Sequence, residues 1–160
     1  MNRTEILSAT EVGFTHHHSV RFQEIDAAGI AYFPTIISYF HDAYAAFLED
    51  SGTDLPAMVR AGDFAAPIRH AEADFLRPIR FGEKLEVQLV ARREGRSEVT
   101  IYHRILGSDE AKAVGATVHV FVNRRTFERS EPPPELRRAL DRLPLWSAET
   151  ATSDHQGSSR

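Results

Sequence analysis

The segment 34–49 limits the possible folds more than any other part of the chain, because as a helix it is apolar on most of its surface. Pro34 suits a first helical turn, where no backbone N–H is needed, and Ser51 and Gly52 suit the helix end. The apolar positions recur at helical spacing and are Ile36, Ile37, Tyr39, Phe40, Ala43, Tyr44, Ala45, Ala46, Phe47 and Leu48. A helix of this kind has to be enclosed, and a curved sheet can enclose it.

Alternation of apolar and polar residues predicts strands on both sides of this helix. One run, 14–22, precedes the helix, and four runs follow it at 65–75, 84–93, 97–106 and 111–123. Gly95 and the Gly-Ser-Asp segment at 107–109 supply the turns of two antiparallel hairpins. The order of strand, long helix and four strands predicts an α+β fold with one helix against one sheet.

The chain of 160 residues has room for one domain. We expect residues 1–12 to be a loose N-terminus and residues 13–146 to form the domain, with a short helix at 135–143 near its end. The segment 147–160 is polar and rich in Ser and Thr, which is typical of a disordered tail.

Composition excludes several classes of function. The chain has no cysteine, so disulfides, cysteine nucleophiles and thiolate metal sites are excluded, and a reducing compartment is favoured. The net charge of -4 does not favour a nucleic-acid partner. No signal peptide is evident, and no run approaches the about 20 apolar residues of a membrane span, so we expect a cytoplasmic protein without a membrane partner.

The segment 21–34, which reads Arg-Phe-Gln-Glu-Ile-Asp-Ala-Ala-Gly-Ile-Ala-Tyr-Phe-Pro, resembles the signature of the 4-hydroxybenzoyl-CoA thioesterase family. In that signature an Asp lies two residues before Ala-Gly, and an aromatic pair or Tyr-His then leads into the buried helix. The segments 66–68 and 74–83 are similar to the second-strand region of the family, and the resemblance covers about residues 14–140.

The resemblance implies a hot-dog fold, in which a five-stranded antiparallel sheet wraps around the long helix. It also implies an acyl-CoA thioesterase, assembled as a homodimer or homotetramer with its active site shared between two chains. We expect no cofactor and no metal. Two positions depart from the family. Phe33 stands where many bacterial relatives carry His, which favours an aromatic acyl group, and Thr35 stands where Asn is usual.

Asp26 is the candidate catalytic carboxylate that the resemblance indicates. Thioester hydrolysis needs a group that delivers oxygen to the carbonyl carbon, and an aspartate can attack directly or activate water. The sequence leaves these two roles open. It also leaves open a simpler interpretation, because aspartate is common in turns.

Backbone N–H groups at the start of the long helix are candidate donors to the oxyanion. The resemblance points to the N–H of Phe33. Gly29 allows close backbone approach, although it also suits an ordinary turn. Tyr32 is expected at the pocket entrance. His41, farther along the helix, is a candidate for the acyl pocket or for a core or interface position.

Basic residues around the turn at Gly95 are candidates for binding the phosphates of CoA, because arginine matches phosphate oxygens well. These candidates are Arg92, Arg93, Arg96 and Ser97. The alternative is a solvated hairpin tip. His103 and His119 are expected at an interface or at the surface.

Other functions stay open at this point. An acyl-carrier-protein thioesterase would share the same catalytic core, and a non-catalytic acyl-CoA-binding protein would share the fold. A hot-dog enoyl-CoA hydratase is disfavoured, because Ala31 stands where that class carries His. No Gly-x-Ser-x-Gly motif is present, which disfavours a serine hydrolase.

Overall fold

The computed structural model describes residues 1–146. Its main sheet is antiparallel and has the strand order β1-β4-β5-β6-β3. The strands are β1 (Phe14–Ser19), β3 (Ile68–Phe75), β4 (Lys84–Glu94), β5 (Glu98–Gly107) and β6 (Glu110–Val120). A second small sheet pairs β2 (Phe64–Ala65) with β7 (Val122–Asn123). The helices are α1 (Arg3–Ser8), α2 (Phe33–Asp50), α3 (Leu55–Ala61) and α4 (Pro134–Leu140), with a 3₁₀ turn at Phe22–Glu24.

The long helix α2 lies against one face of the five-stranded sheet, as its composition predicts. Phe40 and Ala43 are completely buried, and the core also contains the inward residues of β1, β4, β5 and β6. Gly115 on β6 lets the helix approach the sheet closely. A Cβ atom at this glycine would overlap the Glu72 carbonyl oxygen of β3 and would lie 2.6 Å from the Phe40 ring, so any larger residue would displace both the neighbouring strand and the helix. The predicted α+β architecture is therefore confirmed.

The first strand ends earlier than predicted, at Ser19 rather than at residue 22. Ser19 is paired with Lys84, the first residue of β4, so the chain has no further partner strand beyond it. Val20 still donates its N–H to the carbonyl of Glu83 at 3.0 Å. The chain then turns through the 3₁₀ helix towards α2.

The expectation of a loose N-terminus is wrong, because residues 3–8 form helix α1. The helix covers the sheet face opposite α2, where Ile6 packs into a second apolar cluster with Val90, Tyr102 and Val114. The buried Arg104 holds it in place by donating to the carbonyls at its C-terminal end, which belong to Ile6, Leu7 and Ala9, at 3.2, 2.9 and 3.1 Å. An apolar outer sheet face has to be covered, and the N-terminal segment covers it.

The C-terminal part of the domain completes the core. Helix α4 ends at Leu140, shorter than the predicted 135–143, and buries Leu136, Ala139 and Leu140. Residues 144–146 then run along the part of β4 that extends beyond β1, where Trp146 packs edge-on against Tyr102. The predicted tail 147–160 lies outside the described residues. Within residues 1–146, no helix combines the length and apolar character needed to cross a lipid bilayer.

Candidate active site

Asp26 lies in the loop between the 3₁₀ turn and α2, half-buried at the wall of a pocket of about 340 Å³. The loop is held by a backbone bond from Asp26 N–H to the Ile30 carbonyl, at 2.9 Å. One side-chain oxygen, Oδ1, accepts the N–H of Ala28 at 2.8 Å. This is the Asx geometry expected of a turn residue. Asp26 is thus oriented by its own turn and also borders the pocket, so the turn interpretation and the catalytic interpretation are compatible.

Gly29 is a turn residue. Its φ of 76° is in the left-handed region, which side chains rarely adopt. Its N–H is already donated to the Asp26 carbonyl at 3.0 Å. Gly29 therefore has the turn role that the sequence left open, and it closes the turn that carries Asp26.

The N–H of Phe33 is an available donor at the start of α2. Pro34 has no N–H, and Thr35 donates its own to the Tyr32 carbonyl at 2.8 Å. Within residues 1–146, no acceptor takes the Phe33 N–H. Phe33 lines the same pocket as Asp26. A helix N-terminus carries a partial positive charge, so an oxyanion at this position would be stabilised.

The remainder of the pocket is mainly apolar and lies between the start of α2 and the end of β3. Its walls are Ile30, Ala31, Ile36, Phe75, Leu76, Arg77, Pro78, Ile79, Lys112 and Ala113. A wider groove of about 680 Å³ continues along the exposed side of α2 and across β3, past Phe33, Ile37 and His41. The pocket and the groove together are large enough for an acyl group of one or two rings.

Tyr32 and Phe33 form an edge-to-face aromatic pair with ring centroids 5.2 Å apart. Both side chains are exposed, at 52% and 63%. Two large exposed aromatics beside an apolar pocket indicate a binding surface. His41 is also exposed and borders both the groove and a second crevice under α3. It is therefore not a core histidine.

The prediction that Arg92 binds CoA is wrong. Arg92 is buried, and its guanidinium donates to the Leu140 carbonyl at 2.6 Å and to Asp141 at 2.7 Å. It attaches β4 to the C-terminal end of α4 and is not available to a ligand. The alternation of apolar and polar residues along β4 did not predict the burial of Arg92. A bulge between Leu89 and Ala91 shifts the register of the residues that follow.

Arg93 and Arg96 are exposed, and Ser97 is half-buried, at the tip of the β4–β5 hairpin (residues 93–98). The Ser97 hydroxyl accepts a hydrogen bond from Arg129 at 3.2 Å. Within one chain this hairpin is far from Asp26. The Asp26 loop follows the end of β1 that pairs with Lys84, whereas the hairpin lies at the Glu94 end of β4, roughly 30 Å away along the strand.

His103 and His119 were expected at an interface or at the surface, and this expectation is wrong. They are 0% and 2% exposed, on the sheet face that α2 covers. Thr117 Oγ1 lies between them, 2.9 Å from His103 Nε2 and 3.1 Å from His119 Nε2. Their rings stack on Phe40 and Tyr44 of α2. Burial, together with neighbouring histidines, lowers the pKa of His103 to about 3 and that of His119 to about 4.

The sequence reasoning overlooked Glu24, whose buried carboxylate lies two residues before Asp26. It is bonded to Arg21, His18 and Tyr39, from three different elements. The Arg-x-x-Glu spacing in front of the Asp26 loop was the available signal. Tyr39, the partner of Glu24 on α2, lies fifteen residues farther along the chain. At that separation the sequence spacing does not predict a contact.

These features together define a protein class. The sequence model of the thioesterase-like superfamily matches residues 20–140. This is more than half of the chain, which therefore belongs to that superfamily; it has the hot-dog fold and is a thioester hydrolase.

The relatives indicate a narrower group. A 1,4-dihydroxy-2-naphthoyl-CoA hydrolase of Gloeothece citriformis is 38% identical over 137 residues, which cover 84% of this chain and 96% of that protein. A hydrolase of the same name from Picosynechococcus is 32% identical over 139 residues, covering 83% and 95%. The 1,4-dihydroxy-2-naphthoyl-CoA thioesterase of Synechocystis superposes with a TM-score of 0.76 at 27% identity, covering 80% and 95%. The expected resemblance thus holds for the superfamily, and the 4-hydroxybenzoyl-CoA family itself is not confirmed.

Proposed function

We propose that this protein hydrolyses an aromatic acyl-CoA thioester to the free acid and CoA, with Asp26 as the catalytic carboxylate. The observation that supports this most directly is that Asp26 and Phe33 line the same mainly apolar pocket. The carboxylate either activates a water molecule that attacks the carbonyl carbon, or attacks this carbon itself to form a mixed anhydride that water then hydrolyses. The Phe33 amide stabilises the oxyanion that forms, and the thiolate of CoA leaves.

The acyl group lies in the pocket and groove beside Tyr32 and Phe33. Stacking of a flat acyl group on an aromatic side chain contributes about 0.5–1.5 kcal/mol beyond burial. Relatives that are 32% and 38% identical are named for a two-ring acyl group, 1,4-dihydroxy-2-naphthoyl. We propose the same class of substrate here, an aromatic acyl group with hydroxyl substituents. His41 on the groove is positioned to form a hydrogen bond with such a hydroxyl.

The active protein is a dimer or tetramer whose sites contain residues from two chains. Strand β3 is the edge of the main sheet, and nearly all of its residues are exposed in one chain. An unpaired edge of this length is suited to pairing with a second copy. Antiparallel pairing of two β3 strands around a two-fold axis would place Phe75 of one chain, beside the Asp26 pocket, near the Ile68 end of the other.

This arrangement explains how the β4–β5 hairpin can contribute to the site. The hairpin lies at the same end of the sheet as Ile68, because Glu98 pairs with Val120 and Ile68 pairs with His119. In the dimer the hairpin of each chain therefore faces the Asp26 end of its partner. We propose that Arg93 and Arg96, with Ser97, bind the phosphates of CoA from across the interface, in the cytoplasm, where CoA esters are made and used.

A thiol-release assay with a panel of esters tests the function. The panel is 1,4-dihydroxy-2-naphthoyl-CoA, 4-hydroxybenzoyl-CoA, benzoyl-CoA, hexanoyl-CoA and hexanoyl-acyl-carrier protein. We expect kcat/KM to be highest for the hydroxylated aromatic esters. A clear preference for hexanoyl-CoA would overturn the aromatic assignment, and a preference for the carrier-protein ester would overturn CoA as the handle. Binding without turnover of any ester would indicate a non-catalytic protein.

A further inference from the structure

Glu24 has a carboxylate surrounded by hydrogen-bond donors. It is only 7% exposed. Its Oε1 accepts from the Arg21 guanidinium, from Nε at 2.9 Å and from Nη2 at 2.6 Å. Its Oε2 accepts the Arg21 backbone N–H at 2.7 Å and the Tyr39 hydroxyl at 3.0 Å, and lies 3.1 Å from His18 Nε2. Both oxygens are thus fully used, and neither is directed to a ligand.

These partners keep the carboxylate ionised. Burial alone raises the pKa of Glu24, but the hydrogen bonds from Arg21, His18 and Tyr39 outweigh it and bring the pKa to about 2. Burying a charged carboxylate costs free energy, and well-placed hydrogen-bonding partners are needed to offset this cost. His18 belongs to β1 and Tyr39 to α2, so the carboxylate connects the strand before the active-site loop to the helix after it.

The backbone of Glu24 is also bonded to the catalytic segment. Its carbonyl accepts the N–H of Tyr32 at 2.8 Å, and Tyr32 directly precedes Phe33. Between these two points, Ile25 and Ala31 form an antiparallel bridge, and the loop containing Asp26 projects beyond it. Asp26 and the Phe33 N–H therefore lie at the two ends of a loop whose base is closed at Glu24.

We propose that Glu24 is the positioning residue of this active site, and that its carboxylate sets the distance between Asp26 and the Phe33 N–H by connecting β1, the 3₁₀ turn and α2. This inference rests on the proposed function of Asp26. Glu24 touches neither the substrate nor the reacting atoms. It acts by fixing both ends of the loop, so that carboxylate and oxyanion donor are preorganised in the free enzyme.

Substitution of Glu24 by Gln tests this role. The amide nitrogen of the substituted side chain cannot accept a hydrogen bond. In one orientation of the side chain this nitrogen faces the Arg21 guanidinium, and in the other it faces the Tyr39 hydroxyl and the Arg21 N–H. In either orientation at least one donor loses its acceptor. We expect kcat to fall by roughly 10- to 100-fold, the range that a small misplacement of reacting groups produces. KM for the CoA ester should change little, because the groups that bind CoA lie elsewhere.

Asp50→Asn is the matched control. Asp50 also forms an ion pair with an arginine, Arg142, at 2.9 Å, but it lies at the far end of α2. We expect this variant to keep wild-type kcat. If Glu24→Gln and Asp50→Asn have the same kcat, the positioning role is overturned.

A double-mutant cycle separates positioning from general structural support. If Glu24 acts through Asp26, adding Glu24→Gln to Asp26→Asn should reduce kcat by much less than tenfold, because the group to be positioned is already absent. Additive losses would contradict the proposal. Hydrogen exchange gives a readout independent of activity: the Tyr32 amide should exchange faster in Glu24→Gln, with core amides of β5 unchanged.

Tyr39→Phe tests the same role if Glu24→Gln does not fold, because it removes one donor and leaves the carboxylate and Arg21 in place. We expect a loss in kcat of a few-fold and faster exchange at Tyr32, and wild-type values for both would overturn the proposal. The two hypotheses fail separately. An inactive wild type, or an active Asp26→Asn, refutes the proposed function, whereas an active wild type with wild-type kcat in Glu24→Gln refutes only the positioning role.

Discussion

At the scale of single residues, the turn geometry of Asp26 is compatible with the catalytic role that we propose for it. One of its carboxylate oxygens accepts the Ala28 N–H, and the side chain borders the pocket that also contains Phe33. The loop is therefore ordered by the same residue that we propose reacts. An asparagine would keep the Asx turn, since its side-chain oxygen accepts the same bond, but it would have no charge and no basicity.

We therefore predict that Asp26→Asn folds with a thermal midpoint close to wild type and loses activity. Loss of a general base alone reduces kcat by about 10²–10⁴, and loss of a nucleophile can reduce it further. Thiol release and thermal unfolding, measured on the same preparation, check this. A variant with a normal midpoint and near wild-type turnover would remove the basis of the proposed mechanism.

At the scale of elements, the β4–β5 hairpin shows that neighbouring arginines can have unrelated roles. Arg92 is buried against α4, and Arg93 and Arg96 are exposed. The sequence does not distinguish the three arginines, because any charged residue near a turn is expected to be at the surface. Only the C-terminal segment, which folds back on β4, distinguishes them.

Charge reversal at Arg93 and Arg96 should raise KM for CoA esters and leave kcat nearly unchanged, because phosphate contacts are alike in the ground and transition states. The effect should diminish at high salt, which screens exposed charges. Steady-state kinetics at two ionic strengths measure both. Charge reversal at Arg60, which is exposed on α3 and not part of the hairpin, is the control. An unchanged KM in Arg93→Glu/Arg96→Glu would exclude the hairpin as the CoA site.

At the scale of the whole molecule, the exposed β3 edge is the surface through which we propose that two chains assemble. We predict that the wild type shows no sizeable monomer in sedimentation at micromolar concentration. Ala71 is central in β3 and exposed, so Ala71→Arg would place two like charges close together at the two-fold axis and destabilise the pair. Monomer formation and loss of activity should occur together in this variant, and Glu49→Arg on the exposed end of α2 should show neither. A fully active monomer would contradict a shared site.

The stability of the whole fold should also depend on pH through the buried histidines. Burial lowers the pKa of His103 to about 3 and that of His119 to about 4. These values are below the ordinary 6.5, so protons bind preferentially to the unfolded chain. The free energy of unfolding therefore has its full value above pH 6.5 and decreases as the pH falls towards 4. Each histidine contributes up to about 1.4 kcal/mol per pH unit to this decrease.

Urea unfolding at pH 7, 6 and 5, at one protein concentration, measures this slope. The window lies above 4.5, the ordinary pKa of glutamate, so acid-linked effects of Glu24 contribute little. The double variant His103→Gln/His119→Gln should have lower stability at pH 7 but a flatter dependence on pH. An unchanged slope would show that the two histidines are not neutral in the folded protein.

The sequence alone determined the elements and their order. The helical spacing of the apolar residues in 34–49 and the period-two runs around it are local signals, and the helix and the five strands of the main sheet lie within a few residues of their predicted positions. Asp26 and Phe33 could be proposed as site residues from the sequence, because the turn and the helix start that hold them are contiguous in the chain, and both line one pocket.

Tertiary structure decided which side chains are available. Arg92, His103 and His119 are polar residues on strands, and their burial depends on α4 and α2, which approach from distant parts of the chain. Glu24 meets Tyr39 only after α2 has packed against the sheet. Helix α1 forms because an apolar outer sheet face exists for Ile6 to cover. In each case the free energy comes from contacts between segments far apart in sequence, and local patterns carry no information about such contacts.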